Sequence, residues 1–360
     1  MNEFSCKTRL LCGRGSLREL KKLGAHRVLL VADPYFIKNG TAGKIGALTG
    51  AEQIEVFGKV QPDPSAELAA EGTALVKAFK PDLIIALGGG SAMDCAKAMG
   101  YFAGGDIPLA AVPTTSGSGS EVTDFSILTH GGIKYPLVDP ALQPDVAILD
   151  GELLDGLPAS LIADSGFDVL SHALEALAAT GAGPFTDVLA LDAFSTVFTL
   201  LPRSFRGDLT VRQTVHNASA MAGLAFNRAG LGLCHGMSHA LGGLFHVPHG
   251  RLNAILLPHI IKYNRETAGE KYAEAARRAG LSAGSRTMGV RALENGLCRL
   301  RRELHLPGSL LEAGVAPAKV LENREKIVEA ALGDACCTTN PVPVTRETVL
   351  SVLTEVTGLG

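Results

Sequence analysis

The stretch Asp82-Leu83-Ile84-Ile85-Ala86-Leu87-Gly88-Gly89-Gly90-Ser91 constrains the fold of this chain more than any other. An apolar run without alternation is a strand buried on both faces, and such strands belong to parallel sheets covered by helices. A helical pattern, Ala92–Phe102, follows at once. Arg27–Asp33 reads as a second buried strand, ending in a carboxylate. Gln53–Phe57 and Leu109–Val112 read as two more strands, and Ala66–Phe79 has apolar residues at helical spacing. Strands that alternate with helices and close on glycine loops predict an α/β domain with a parallel sheet.

After Leu149-Asp150 the strand signals fade. Helical patterns take over: Ser160–Ala179, Pro184–Leu201, Arg212–Arg228, Met237–Leu244, Asn253–Tyr263, Ala268–Ala279 and Arg286–Glu303. At 360 residues the chain exceeds the usual limit of about 250–300 for a single core. The composition shift near Asp155-Gly156-Leu157-Pro158 therefore marks a domain boundary. The expected architecture is an α/β dinucleotide-binding domain over residues 1–155 and an all-α metal-binding domain over residues 156–360, packed with a cleft between them.

Composition excludes several function classes. Hydrophobic residues are 46% and charged residues 19%, which is globular rather than disordered. A net charge of −3 leaves no basic footprint for nucleic acid. Seven cysteines without a C-x-x-C spacing fit a reduced compartment better than a disulfide framework. The stretch Met1–Lys7 has no apolar signal region, and the apolar stretch Ala254–Ile261 is interrupted by Pro258 and His259. The expectation is a cytoplasmic protein with no secretory signal or membrane span.

Gly88-Gly89-Gly90-Ser91 leaves a strand and opens a helix. Backbone N–H groups at such a turn, with the positive end of the helix dipole, suit a pyrophosphate. Ser91 and Asp94 have the spacing of a capping box. Taken alone, the motif is equally a tight strand–helix turn. A second loop, Pro113-Thr114-Thr115-Ser116-Gly117-Ser118-Gly119-Ser120, follows the next strand and would emerge on the same sheet edge, where open α/β sheets bind ligands. Asp33 ends an earlier strand, where a carboxylate can bind ribose hydroxyls and repel a 2′-phosphate. It is also an ordinary turn residue before Pro34.

The second half offers metal ligands. Asp168 and His172 are spaced i, i+4, as are His235 and His239, so each pair shares a helix face. His249 follows in the turn Pro248-His249-Gly250. One carboxylate with several imidazoles suits zinc or ferrous iron and is too nitrogen-rich for calcium or magnesium. Spacing leaves open which four bind, since His216, His246 and His259 are further candidates.

These residues carry a resemblance. Gly88-Gly89-Gly90-Ser91-Ala92-Met93-Asp94-Cys95-Ala96-Lys97, Pro113-Thr114-Thr115 with Ser120-Glu121-Val122-Thr123, Gly166-x-Asp168-x-x-x-His172-x-x-Glu175, His235-Gly236-Met237-x-His239 and Pro248-His249-Gly250 resemble the iron-containing (group III) alcohol dehydrogenase family along nearly the whole chain. Within it, Ile133–Leu137 and Asn217–Ser219 are similar to the 1-propanol dehydrogenases of propanediol-utilising microcompartments.

The resemblance implies an NAD(H)-linked enzyme that interconverts short aliphatic aldehydes and primary alcohols. It implies Fe2+, with Zn2+ as an alternative, on Asp168, His172, His235 and His249, and His239 beside substrate and nicotinamide as the proton relay. Asp33 would meet the adenosine ribose, Gly89, Gly90 and Ser91 the pyrophosphate, and Asp94, Thr114, Thr115, Ser118, Thr123 and Lys134 the rest of the cofactor. Asp63 stands where relatives carry a cofactor-contacting Asn, and Asn340-Pro341-Val342 where they often have Asn-Pro-Arg. A homodimer or larger homo-oligomer, working in the cytoplasm or with microcompartment enzymes, is expected. The alternative is a non-redox lyase of dehydroquinate-synthase-like architecture. That would need basic residues for an acidic substrate, and only Arg251 lies near His249 in the sequence.

Overall fold

A computed structural model describes residues 3–131 and 133–358. They divide into two compact units, one spanning Ser5–Leu157 and the other running from Pro158 onward and taking in Phe4. The first unit is built on β1 (Arg9–Cys12), β2 (Arg27–Ala32), β3 (Gln53–Phe57), β4 (Leu83–Gly88), β5 (Leu109–Pro113) and β8 (Val146–Leu149). These run in the order β1-β8-β5-β4-β2-β3, and every neighbouring pair is parallel. Helices α1 (Pro34–Lys38), α2 (Thr41–Thr49), α3 (Ala66–Phe79) and α4 (Gly90–Ala103) connect the strands. Leu29 and Val31 of β2 join Val76, Met93 and Met99 on one face, while Val28, Leu30 and Ala32 join Leu20 and Ile45 on the other. Both faces are thus apolar, which is why the strand shows no alternation.

The direction in which strands are added across the sheet reverses at β2. After β3 at the sheet edge, the chain crosses back to place β4 on the other side of β2. The loops after β2 and β4 diverge there, opening the crevice where parallel sheets hold ligands. Ala32 pairs with Leu87 and Gly88 with Pro113, so Asp33, Gly88–Gly90 and Thr114 leave the sheet side by side. Asp33 N donates to Leu87 O at 3.1 Å and Thr114 N to Gly88 O at 3.0 Å, which locks the rim.

Four features of this unit differ from the sequence expectation. The edge strand β1, the strand β8 and the antiparallel hairpin β6 (Phe125–His130) with β7 (Ile133–Val138) are additional. The capping box does not form: Gly89 is the N-cap of α4, Ser91 lies inside its first turn, and Asp94 accepts from Ser120 Oγ at 2.9 Å instead. A distant hydroxyl has displaced the local partner.

Beyond Pro158 the described residues form helices and short turns. They comprise α5 (Ala159–Ala178), α6 (Pro184–Phe205), α7 (Arg212–Ala229), α8 (Leu233–Phe245), α9 (His249–Arg278), α10 (Arg286–Glu303), α11 (Pro317–Glu322), α12 (Arg324–Gly333) and α13 (Arg346–Thr357). α5 is buried along most of its length and packs on α6, α7 and α9. α6 has the length and hydropathy of a membrane span by composition, yet it lies along α5 and α7 as a bundle helix does. α9 is one continuous helix of 30 residues through Pro258, where sequence patterns suggest two. An interior proline costs ~3 kcal/mol. Packing of α9 against α5, α8 and α10 offsets it.

Under the rim sits a buried ionic cluster. Lys97 Nζ, 2% exposed, donates to Thr123 O at 2.9 Å, Thr123 Oγ1 at 3.1 Å, Ser120 Oγ at 3.2 Å and Phe125 O at 2.8 Å. Burial lowers its pKa to about 8, against the favourable charges of Asp94 and Glu121. Burial likewise raises the Glu121 carboxyl to about 7, with Lys97 and a backbone hydrogen bond opposing. Between pH 4.5 and 7 the folded chain then holds a proton that the unfolded chain has lost, so this group makes stability fall as pH rises through that window. Glu121→Gln, which mimics the neutral acid, is expected to raise Tm at pH 8 by the equivalent of up to about 3 kcal/mol and to change little at pH 5. Thermal unfolding at the two pH values checks this.

Candidate metal centre and cofactor rim

Asp168 and His172 project from the buried middle of α5, His235 from the first turn of α8, and His249 from the first turn of α9. His249 is the first residue of that helix, not part of a free turn. The Nε2 atoms of His172, His235 and His249 lie 3.8, 3.6 and 3.4 Å from Asp168 Oδ1. Asp168, His172 and His235 present ligand atoms within 4.8 Å of one another, and His249 adds a third imidazole against the same carboxylate oxygen; this donor set suits Fe2+ or Zn2+. Burial would raise the Asp168 carboxyl, but His172 and His235, with the hydrogen bond from His235, outweigh it and hold it below the usual carboxylate range. It is an anion at every physiological pH.

Residues outside the predicted set orient these side chains. Glu175, 4% exposed, is one turn beyond His172 on α5. Its Oε1 accepts from Cys234 N at 2.6 Å, and its Oε2 from His235 N at 3.3 Å and His235 Nδ1 at 2.6 Å. A carboxylate thus caps α8 from another helix, complements the helix dipole, and turns His235 so that Nε2 faces Asp168. Burial opposes the charged imidazole, yet the bonds to Asp168 and Glu175 push His235 up to about 9. Burial, aided by the other three imidazoles, keeps His249 well below its ordinary value despite Asp168. Asn253, i+4 from His249 on α9, donates from Nδ2 to Asp168 Oδ1 at 2.8 Å. Glycine makes the junction possible: a Cβ on Gly232, the N-cap of α8, would come within 2.8 Å of Glu175 Oε1 and 2.7 Å of Asn340 Oδ1. Asn340 Oδ1 in turn accepts from Leu233 N at 3.2 Å.

His239, one turn after His235, has its Nδ1 2.8 Å from Asp334 Oδ2. Burial would raise Asp334, but its hydrogen bond with His239 and that histidine's charge bring it down to about 2. The carboxylate therefore receives the Nδ1 proton and leaves Nε2 as the free nitrogen. Neither Glu175 nor Asp334 was legible as a partner, because they act on residues 60 and 95 positions away. Of the other candidates, His246 ends α8 in a left-handed turn, His259 Nδ1 lies 2.7 Å from Glu355, and His216 lies on α7. Arg251 is held in a two-pronged contact with Asp164, at 3.0 and 3.2 Å.

The cofactor candidates of the first unit divide. Gly89 and Gly90 open α4, and a Cβ on either would meet Thr115 Oγ1 at 3.3 Å or Ser118 Cβ at 3.2 Å. Gly88 (φ 154) has no room for one beside Ala92 and Asp33. Asp33, Gly89, Gly90, Ser91, Thr115 and Ser118 thus share one partly open rim. Thr114 and Thr123 are buried beneath it, and the Thr123 hydroxyl is held by Lys97. Asp33 caps α1 by accepting from Tyr35 N at 2.8 Å. Asp63 and Lys134 pair with each other at 2.6 Å.

Residues 7–151 match the family described as iron-containing alcohol dehydrogenase, and residues 162–357 match the C-terminal part of the Fe-containing alcohol dehydrogenase family. This chain belongs to the iron-containing alcohol dehydrogenase family. It is 39% identical to the 1-propanol dehydrogenase PduQ of Salmonella typhimurium, over 99% of this chain and 100% of that one. It is 38% identical to the NADPH-dependent butanol dehydrogenase of Clostridium saccharobutylicum, over 96% of each. The structure of sulfoacetaldehyde reductase from Bifidobacterium kashiwanohense in complex with NAD+ superimposes with a TM-score of 0.90 at 25% identity, covering 100% of both chains. Both matched family segments are dehydrogenase segments, so the lyase alternative finds no support.

Glu175→Gln replaces an acceptor by a donor toward His235 Nδ1. It is expected to weaken metal retention ~10–100-fold with the helical content unchanged. Competition with a chelator, followed by metal analysis and circular dichroism, measures it.

Proposed function

We propose that this protein is a metal-dependent, NAD(H)-linked alcohol dehydrogenase that interconverts short-chain aliphatic aldehydes and primary alcohols, with propionaldehyde and 1-propanol as the representative pair. The observation that carries the reading is the convergence of three imidazole Nε2 atoms on Asp168 Oδ1, with the His239–Asp334 pair beside them. Asp168, His172, His235 and His249 would hold Fe2+, or Zn2+ in its place. A bound ion supplies Lewis acidity toward the alcohol or aldehyde oxygen, and NAD(H) supplies or accepts the hydride.

The chain's own groups do the rest. His239 carries the proton through Nε2, while Asp334 fixes Nδ1–H and stabilises the imidazolium. Glu175 holds His235 in its ligating tautomer. Gly89, Gly90 and Ser91 direct backbone N–H groups from the start of α4 at the cofactor phosphates, with Thr115 and Ser118 alongside. Asp94, Thr114 and Thr123 shape the loop from below, and the Asp63–Lys134 pair would flank the cofactor. The Asp33 carboxylate would accept from ribose hydroxyls and repel a 2′-phosphate. This supports NAD here, although one relative is named as NADPH-dependent.

Similarity to 1-propanol dehydrogenases supports placing the enzyme, as a homo-oligomer, in the cytoplasm with the enzymes of a bacterial microcompartment. The decisive assay is NADH consumption at 340 nm by anaerobically iron-loaded protein with a C2–C4 aldehyde series. No consumption with any aldehyde overturns the reading. His249→Ala is expected to lose the metal and activity while keeping its helical content. NAD(H) is expected to exceed NADP(H) in kcat/KM by at least tenfold, in line with about 1.4 kcal/mol of charge repulsion. Equal values would remove the role of Asp33.

A further inference from the structure

We propose that His239, Asp334 and Cys336 form a second cation site, separate from the Asp168 cluster, for a thiophilic divalent ion of the zinc class. A ring nitrogen, a carboxylate oxygen and the thiol sulfur of these residues all lie within 4.8 Å of one another. Asp334 is shared between the other two. Its Oδ2 is 2.8 Å from His239 Nδ1, and its Oδ1 accepts from Cys336 N at 2.9 Å. Glycine brings the parts together: a Cβ on Gly236 would collide with Cys337 Sγ and lie 3.6 Å from Asp334 Cβ. Its absence seats the first turn of α8 against the turn Ala335–Thr339.

The three side chains are partly open to solvent, at 21% for His239 and 18% for Asp334, whereas neighbouring Cys337 is buried. Nitrogen, oxygen and sulfur donors with a free direction make a three-ligand zinc site, and the sulfur selects against magnesium and calcium. Burial and the Asp334 charge hold the Cys336 thiol protonated, so it is a poor nucleophile. An incoming cation would release that proton, and the one on His239 Nδ1, to solvent.

One consequence rests on the dehydrogenase reading. The cation occupies the imidazole that carries the proton, so excess zinc inhibits without displacing the catalytic ion. The His239 and His249 rings stack at 5.1 Å, so the second cation binds beside the first and more weakly.

The sulfur makes the site separately visible. The Asp168 cluster contains none, so thiolate-to-cobalt charge-transfer absorption in the near ultraviolet can report only sulfur ligation. Co2+ is titrated into protein whose first site already holds iron, under anaerobic conditions, with iron content measured before and after. The expected result is a charge-transfer band saturating near one equivalent, absent in Cys336→Ser and diminished in Asp334→Asn, with iron retained in all three proteins. No band in the parent, or an equal band in Cys336→Ser, overturns the site. Zn2+ is expected to inhibit the iron-loaded parent at concentrations at least tenfold below those needed for Cys336→Ser. Equal inhibition of both overturns the regulatory role. NADH consumption by the metal-loaded parent before titration tests the dehydrogenase reading independently of the band.

Discussion

A single buried carboxylate ties the second domain together. Glu175 satisfies two amide N–H groups at the start of α8 and the Nδ1 proton of His235 at once. A helix start inside protein has no water to satisfy its donors, and each one left unmade costs ~1–3 kcal/mol. The cap that a serine or aspartate ordinarily supplies locally here comes from a helix about 60 residues earlier. The fold of α8 and the orientation of the His235 ring therefore depend on the same two oxygens. Gly232 is the space they need, and Asn340 fills the remaining acceptor position from the far end of the chain.

The cofactor rim works by a different logic. There the backbone, rather than any long side chain, shapes the site, because three strand ends in register bring three loops to one edge. The ionic cluster beneath it is the counterpart of Glu175. Lys97 fastens the second loop by its backbone carbonyls and hydroxyls, replacing hydrogen bonds that an irregular buried loop cannot make to itself.

What the sequence revealed follows from the range of the interactions involved. β2, β4 and β5 were legible because both their faces are apolar. β1 has only four residues and exposed or half-buried side chains, and β7 carries Pro136, so neither yields a strand signal. The sequence pattern broke off between Tyr263 and Ala268, but packing on three neighbouring helices carries α9 through. The i, i+4 pairs on α5 and α8 marked Asp168, His172, His235 and His239 as one cluster, since that spacing is local chemistry. Glu175 as a cap, Asn253 as a donor to Asp168, and Asp334 as the partner of His239 have no local signature. The Ser91–Asp94 capping box had one and was overridden by Ser120.

On the role proposed for Asp33, cofactor choice is entangled with folding. One carboxylate oxygen is committed to Tyr35 N, and that bond starts the helix after β2. An evolving lineage that discards this negative charge to accept a phosphorylated nucleotide also discards a helix cap worth about 1 kcal/mol. The least costly route passes through serine or asparagine, which lose the charge but keep an oxygen for the cap. Nucleotide preference in this scaffold is therefore expected to drift along a narrow set of substitutions, chosen as much by the helix as by the ligand.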